Sequence, residues 1–478
     1  MSGSASSSSA ASTDRPRFLD SRGARIKIQP EDVRGRFTRW RHIVFGVLIV
    51  HLLALPFIKN GKHPAVHLDI PSRQFFLAGR AFNAQDVWLL VFLLAGFAFG
   101  LVFVTALAGR VWCGWACPQT VFLEGLYRPI ERWLEGPAQQ RRRLAEGGWT
   151  ARRILLLLIK QSLYLVVSLI LAHWFLAFFV SAATLAELVI HGPAGHGTLF
   201  GIAMFLTTLF WLNFASFREQ FCVILCPYGR LQSVLTDRRT LLIGYDASRG
   251  EPRGKVARGA SPARGDCIDC GRCVRVCPTG IDIRNGQQME CIGCAQCIDA
   301  CDEMMARVGR AAGLVRYDSL EGFEGVPRGR VLRPRVIAYG LVAAAALLTV
   351  ALNVFAIRTP FEANLLRSAG IPYVLEKTSI RNQFEIHVVN KHVDPAEFEI
   401  TVTVPQGVTA IVPQPRIRLG PLEGIRTPVM VIADRAQYHG PFEIRAAVKD
   451  LSSGETRELT GRFLGPPPGP RNQDPATP

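Results

Sequence analysis

Five long apolar runs dominate the pattern of hydrophobic and polar positions along the chain. Each run has the length that a helix needs to cross the hydrocarbon core of a bilayer. The first run is the shortest, but it begins late and no small-residue cleavage site follows it, so we expect a retained helix rather than a signal peptide. The pattern predicts five transmembrane helices, at 42–58, 87–109, 154–180, 198–217 and 336–357.

After the fifth run the pattern changes from continuous to alternating. Phe384, Ile386 and Val388 alternate with polar residues, and a later run at 442–448 again has the length of a strand. Several short segments of this kind are typical of an antiparallel β-sandwich. We therefore predict an immunoglobulin-like domain at 358–465, without a disulfide because no cysteine follows Cys301.

The ends of the chain show no periodic pattern. The N-terminal segment begins with a Ser- and Ala-rich stretch and the C-terminal segment is Pro-rich, compositions typical of disorder. The predicted organisation is a disordered cytoplasmic tail, four spans, a soluble insert, the fifth span, the β domain and a second disordered tail. Their boundaries are 1–33, 34–240, 241–320, 336–357, 358–465 and 466–478.

The placement of arginine predicts how the spans are oriented. Basic residues outnumber acidic residues by 55 to 38, a net charge of +17. Loops 110–153 and 218–335 are rich in arginine, whereas 181–197 contains neither Lys nor Arg. The positive-inside rule then places the N-terminus and both Arg-rich loops in the cytoplasm. Because the number of spans is odd, we expect a bacterial inner-membrane protein whose β domain is periplasmic.

The basic excess raises the question of nucleic-acid binding. No nucleic-acid recognition motif accompanies the charge. Basic residues beside membrane spans are also attracted to anionic lipids. We therefore expect the membrane as a partner and no nucleic acid.

Twelve cysteines, all between residues 113 and 301, suggest the chemistry. Eight of them form two C-x2-C-x2-C-x3-C runs, the spacing of bacterial ferredoxins with two [4Fe–4S] clusters. In those ferredoxins the fourth cysteine of each run binds the cluster held by the other run. Zinc prefers two separated pairs of ligands, and disulfides are disfavoured on the reducing side of a membrane. The predicted ligand sets are Cys267, Cys270, Cys273 with Cys301, and Cys291, Cys294, Cys297 with Cys277.

These features together define the predicted fold class. We expect a multi-domain membrane protein with an α-helical transmembrane bundle of about five spans. An inserted two-cluster ferredoxin-like domain occupies 241–320, and a C-terminal all-β immunoglobulin-like sandwich completes the chain.

The other four cysteines form two identical C-x3-C-P motifs, each placed after a span: Cys113 with Cys117, and Cys222 with Cys226. Residues four apart share one face of a helix, and the proline after each pair either breaks that helix or begins the next one. We expect the four sulfurs to lie together, with Arg110 and Arg218 lowering their pKa values.

The four thiolates are soft ligands, which suit Cu(I) or a thiol–disulfide couple. A third cluster lacks a matching spacing, and inert buried cysteines are the remaining alternative.

Other redox cofactors have no motif in this sequence. It contains no C-x-x-C-H for attached haem and no G-x-G-x-x-G after a strand for a dinucleotide or flavin. His51 and His173 lie at depths that differ by roughly 15 Å, too far for one haem iron, and no role is assigned to His42. The electron donor is therefore another protein, a small molecule or the quinone pool.

Five segments together resemble one known family, at 113–121, 226–233, 245–255, 277–284 and 301–304. Their combination is similar to the cytochrome c oxidase accessory protein family, called CcoG, RdxA or FixG. The resemblance implies a cupric reductase, Cu(II) to Cu(I), that supports assembly of a cbb-type oxidase. It also implies partnership with assembly factors of that oxidase and with a copper-exporting P-type ATPase.

The resemblance also implies roles for the cysteines. The two C-x3-C-P pairs match the family's membrane motifs, where copper would meet electrons, and these pairs are Cys113, Cys117, Cys222 and Cys226. The other eight cysteines match its cluster ligands.

Two other functions are compatible with the same motifs. Quinol-linked membrane polyferredoxins that pass electrons to a respiratory reductase also combine C-x3-C-P motifs with ferredoxin runs. The β domain and segment 245–255 favour the oxidase-accessory family over these proteins. The third alternative is a non-enzymatic assembly scaffold in which the clusters are structural.

Overall fold

The computed structural model describes residues 28–60, 63–70, 74–78, 80–82, 86–254, 265–327, 332–355, 359–392 and 394–466. These residues form two compact units. The first contains the described residues up to Ile58, from Ala65 to Ser72 and from Val87 to Val350. The second contains those from Lys59 to Pro64, from Arg73 to Asp86 and from Ala351 onward. Most of the tails predicted at 1–33 and 466–478 lies outside the described residues.

Five helices among the described residues are long and apolar enough to cross a bilayer, as predicted. These first to fifth spans are Arg36–Phe57, Val87–Ala108, Ala151–Leu176, Gly197–Phe217 and Pro334–Phe355. The first ends in a 3-10 turn and the fourth in a π-helical turn, at Leu55–Phe57 and Asn213–Phe217. The chain is therefore a multi-pass membrane protein.

The first span begins at Arg36, before the apolar run that predicted it. The carboxylate of Asp299 accepts hydrogen bonds from the backbone amides of Phe37 (3.2 Å) and Thr38 (2.7 Å). The Thr38 hydroxyl donates to the same carboxylate at 2.7 Å. Helix N-termini leave amide groups without partners, and a carboxylate there satisfies them. The cap thus comes from the inserted domain, which explains why the local pattern misplaced the start.

Aromatic side chains pack the third and fourth spans against the loop that follows the second span. Tyr127 stacks on Phe214 with ring centroids 4.5 Å apart, and its ring meets that of Tyr164 edge-on at 4.9 Å. The Tyr127 and Ser168 hydroxyl groups share a hydrogen bond of 2.8 Å. Large buried rings of this kind contribute strongly to packing.

Short helices fill the loops around the spans. They are Val111–Trp115, Pro118–Phe122, the π-helical turn Leu123–Tyr127, Arg128–Glu135, Ala138–Glu146, Ala182–His191, the π-helical turn Phe221–Leu225 and Pro227–Leu235. Proline occupies the first or second position of three of them, where a missing amide costs nothing.

Several arginines of the basic loops are buried in ion pairs. Arg141 and Arg218 both pair with Glu131, at 3.3 and 2.6 Å, and Arg128 pairs with Glu124. All three arginines are at most 3% exposed. Buried charges are costly unless they are paired, so these arginines fix the loops in place. The sequence predicted these arginines as determinants of topology and Arg218 also as a group that lowers thiol pKa values, but it did not predict their ion pairs.

The insert between the fourth and fifth spans closes on a two-stranded antiparallel sheet. Strands Leu242–Tyr245 and Val315–Asp318 pair at its two ends. Both cysteine runs lie between these strands, with helices Ala247–Gly250, Arg272–Arg275, Ile283–Asn285 and Gln296–Arg307, and Leu320–Phe323 follows. This is the predicted ferredoxin-like domain.

The C-terminal unit contains a sandwich of two antiparallel sheets, as predicted. One sheet has the order Val408–Ile411, Gly424–Asp434, Ser379–Asn390, Phe361–Arg367, and Val374–Leu375 also pairs with Ser379–Asn390. The other has the order Arg416–Leu419, Ala396–Thr403, Phe442–Asp450, Thr456–Phe463. The alternating residues Phe384, Ile386 and Val388 point inward and are at most 2% exposed.

The loop after the first span contains short strands that the sequence pattern did not predict. They are Lys59–Asn60, His63–Pro64, Val66–Asp69, Gln74–Leu77 and Arg80–Phe82. Their two- to four-residue length leaves too few positions for a detectable alternation.

Phe398 tests the core of the sandwich. Its side chain is fully buried, and its ring centroid lies 5.3 Å from that of Phe361. Phe398→Ala should leave a cavity and lower the free energy of unfolding of this domain by about 3–5 kcal/mol. Hydrogen-exchange mass spectrometry on the full chain should show faster exchange in strands Ala396–Thr403 and Phe442–Asp450. The control Ile371→Ala, at a side chain 78% exposed, should leave exchange unchanged; equal exchange in both variants would contradict the prediction.

Candidate functional site

The eight ferredoxin-type cysteines surround two neighbouring cavities in the inserted domain. One cavity, of about 20 Å³, is lined by Cys267, Cys270, Cys273 and Cys301. The other, also of about 20 Å³, is lined by Cys277, Cys291, Cys294 and Cys297. Cys273 also borders the second cavity. The structure thus brings the cysteines together in the two groups of four that the spacing predicted.

Both cysteine runs use the same backbone conformation. Asp269 and Gly271 in the first run have φ of +52° and +62°, and Gly293 and Ala295 in the second have +65° and +64°. These residues occupy equivalent positions, before and after the second cysteine of each run. Positive φ is unfavourable for Asp and Ala, so the fold maintains it at a cost. The repeat turns both loops around their cavities in the same way.

The cavities fit [4Fe–4S] clusters by their chemistry as well as by their cysteine count. Apolar side chains complete the walls, including Ile281 and Ile283 at one cavity and Leu314 at the other. The backbone amides of Gly293 and Gln296 donate to the sulfurs of Cys291 and Cys294. Such N–H···S hydrogen bonds and low exposure are the features by which proteins tune bound clusters.

The membrane-associated motifs differ from the predicted single helix. Helix Val111–Trp115 ends before Cys117, and Cys117 and Cys226 have extended backbone (ψ 126° and 113°). The expectation that each pair shares one helix face is therefore wrong. The residue before a proline is forced out of helical conformation, and both prolines begin the next helix, which was the other predicted role.

The structure nevertheless brings the four sulfurs of these motifs together. The charge of Cys226 acts on both Cys113 and Cys117, and Cys222 interacts electrostatically with the other three thiols. The four thiols thus lie near one another. Among the described residues, the eight ferredoxin-type cysteines included, no three His, Cys, Asp or Glu side chains are arranged to hold a single metal ion.

Burial outweighs the neighbouring arginines at these thiols. Desolvation raises the pKa of Cys113 to about 12, although the Arg110 guanidinium opposes this rise. Burial likewise raises the pKa of Cys222 to about 12. The predicted lowering of the thiol pKa values is therefore wrong in its net direction. Arg218 is instead engaged by Glu131 and Glu219.

The first C-x3-C-P motif packs directly against the second cysteine run. The side chain of Cys113 is buried together with Ile292 and Cys294. A Cβ atom on Gly114 would lie 2.5 Å from the Ile292 carbonyl oxygen and 2.9 Å from the Cys294 amide nitrogen. Only glycine permits this approach. It places a motif sulfur beside a predicted cluster ligand.

Hydrogen bonds from three side chains hold this junction. The Trp115 indole and the Tyr317 hydroxyl both donate to the Gly293 carbonyl, at 3.1 and 2.7 Å. Arg41 donates from Nε to the Gly114 carbonyl at 3.0 Å. The prediction did not identify these residues. The available signal was the glycine inside the first C-x3-C-P motif, because a pair of thiols needs no glycine between them unless the backbone approaches another element closely.

Three family models match the chain. A "4Fe-4S dicluster domain" matches residues 217–320 and a "4Fe-4S binding domain" matches 89–137. An "IG-like fold at C-terminal of FixG, putative oxidoreductase" matches 352–466. The first of these covers all eight ferredoxin-type cysteines.

Three relatives are similar over most of the chain. Protein RdxB of Cereibacter sphaeroides is 33% identical, covering 90% of this chain and 94% of its own. Protein RdxA of the same organism is 36% identical, covering 79% and 82%. Nitrogen fixation protein FixG of Rhizobium meliloti is 33% identical, covering 80% and 79%. The chain belongs to the family of RdxA, RdxB and FixG, membrane proteins with 4Fe–4S domains.

Proposed function

We propose that this protein is a cupric reductase, which reduces Cu(II) to Cu(I) at the paired cysteines of its C-x3-C-P motifs. The observation that carries the proposal is the contact of Cys113 with Ile292 and Cys294. When bound, the two [4Fe–4S] clusters supply single electrons. Cys267, Cys270, Cys273 and Cys301 would hold one cluster, and Cys277, Cys291, Cys294 and Cys297 the other.

The residues around the motif support copper as the substrate. Four neighbouring sulfurs are soft ligands that favour Cu(I) over Cu(II). Because burial raises the pKa of Cys113 to about 12, copper binding there would release protons from the thiols.

The arginine distribution supports an orientation for the proposed reaction. Under the positive-inside rule, the Arg-rich loops 110–153 and 218–335 lie in the cytoplasm of a bacterium, together with the N-terminus. The reaction then takes place at the cytoplasmic face of the inner membrane. The immunoglobulin-like domain lies in the periplasm.

This orientation also supports a biological setting. Cu(I) formed at the cytoplasmic face suits a copper-exporting P-type ATPase, which would receive it as a partner. The periplasmic domain would then meet assembly factors of a cbb-type cytochrome c oxidase. Both partners are inferred from the family resemblance. The β domain favours this setting over that of the polyferredoxins, which share the same cysteine motifs.

Replacing the four membrane-associated cysteines tests the site of reduction. In anaerobically purified full-length protein, the combined change of Cys113, Cys117, Cys222 and Cys226 to Ser should abolish Cu(I) formation, because no soft ligand remains to receive copper. The protein is first reduced by dithionite and the excess dithionite is removed; Cu(II) is then added, and Cu(I) is measured with a Cu(I)-specific chelating dye. The visible spectrum of the clusters should be retained.

The control for this variant is the unaltered chain prepared in parallel with the same iron content. Cu(I) formation at the unaltered rate in the four-cysteine variant would remove these cysteines from the reaction. Loss of the cluster spectrum together with activity would show that the four cysteines are needed for the clusters themselves. This result would contradict the proposal that eight cysteines bind the clusters and the other four bind copper.

Gly114→Val tests the junction between the two motifs. Its side chain would meet the Ile292 carbonyl and the Cys294 amide and push Cys113 away from the second cysteine run. We expect Cu(I) formation to slow by about tenfold or more, as misplaced reacting groups do, with unchanged iron content. Stopped-flow mixing of reduced protein with Cu(II) measures the rate.

A glycine in open surroundings provides the matched control. Gly201 lies in the fourth span, and a Cβ atom added there would have no neighbouring atom within 4 Å, so Gly201→Val should leave the rate unchanged. Equal rates in the two variants would show that the close approach at Gly114 has no part in the reaction.

A further inference from the structure

A cavity lies beside the second group of cluster cysteines and has no part in the proposed copper chemistry. Its volume is about 320 Å³, at the lower end of the range of cofactor and ligand sites. Cys291 and Gly293 form part of its wall. An occupant would therefore stand next to a predicted cluster ligand.

The cavity contains a buried amide that has no hydrogen-bond partner. Gln232 lines the cavity and is only 6% exposed, yet its side chain makes no hydrogen bond within the described residues. Its amide atoms are not among the fully enclosed polar atoms that lack a partner, so they face open space and can form a hydrogen bond to an occupant. Arg110, also 6% exposed, lines the same cavity. The Gln232 amide would be satisfied by an occupant with oxygen acceptors.

The helix that carries Gln232 is apolar on its outer side. In helix Pro227–Leu235, Gly229, Gln232 and Ser233 line the cavity, whereas Leu231 and Val234 are 56% and 72% exposed. A helix with one apolar exposed face lies at the lipid interface. Ala108, the last residue of the second span, also lines the cavity. The cavity is thus located at a membrane surface.

The charged groups of the cavity wall already have partners. Arg238 pairs with Glu324, Asp237 pairs with Arg333, and Arg110 donates to the Met289 carbonyl. The lining also contains the Gln232 amide and the apolar side chains of Leu242 and Ile243. This combination suits an uncharged head group with oxygen acceptors and an apolar tail.

We propose that this cavity binds a quinol from the membrane, which is the electron donor of the protein. The Gln232 amide would hold one ring oxygen, with the ring beside Cys291 and the tail leaving past Leu231 and Val234. Oxidation to the quinone releases two electrons and two protons; the two [4Fe–4S] clusters accept one electron each and the protons pass to water. The proposal supplies the donor for the proposed copper reduction, but the binding site does not depend on copper.

Binding of a quinone-site probe to the full-length protein in lipid nanodiscs tests the cavity directly. The fluorescent inhibitor 2-heptyl-4-hydroxyquinoline N-oxide should bind saturably, at one site per chain, with quenching of its fluorescence. Gln232→Leu should weaken this binding by about five- to tenfold, the effect of one hydrogen bond. Gln139→Leu, at an exposed glutamine of helix Ala138–Glu146, is the control and should bind as the unaltered chain does.

A second measurement follows cluster reduction without copper. A short-chain quinol should bleach the visible cluster spectrum of the unaltered protein, and more slowly in Gln232→Leu, whereas dithionite should reduce both alike. No saturable probe binding to the unaltered chain, or equal binding to both variants, would overturn the proposal. Copper reduction after dithionite is a separate assay, so failure of the donor site and failure of the cupric reductase give different results.

Discussion

The contact between Gly114 and the Ile292–Cys294 backbone is the constraint on which the functional geometry depends. A side chain at Gly114 would collide with backbone atoms rather than with a movable side chain. The motif after the second span and the second cysteine run can meet only because that position is glycine. Trp115, Tyr317 and Arg41 then tie the two loops together through backbone carbonyls. Loss of this contact would separate the two groups of cysteines while leaving each group intact.

Local pattern was sufficient to predict much of the fold. The five spans were found because each is a continuous apolar run long enough to cross a bilayer, and the strands because their apolar residues alternate with polar ones. The grouping of the eight ferredoxin-type cysteines followed from their spacing, since short loops force neighbouring thiols around one cavity. The start of the first span was misplaced because its cap, Asp299, lies 261 residues from Thr38. Periodicity carries no information about such distant partners.

The candidate site was likewise predictable from the sequence in some features and not in others. The meeting of the two C-x3-C-P motifs was expected from their repetition, but their backbone was not, because the proline after each second cysteine imposes an extended residue. The arginine beside each motif suggested acidic thiols, and burial reversed that effect at Cys113. Burial depends on the whole fold, and no local window of sequence reports it. The cavity at Gln232 was likewise invisible, because its walls come from segments far apart in the chain.

The Asp299 cap links the order of synthesis to the completion of the fold. The first span leaves the ribosome long before residue 299 exists, so its leading amides have no carboxylate partner at that stage. Asp299 follows Cys297 and precedes Cys301 on one helix, so its position depends on the same loop that surrounds the clusters. Until the insert has been synthesised and folded, the first span therefore lacks the carboxylate that satisfies its leading amides. Completion of the first membrane helix thus waits for a residue that is synthesised after four of the five spans.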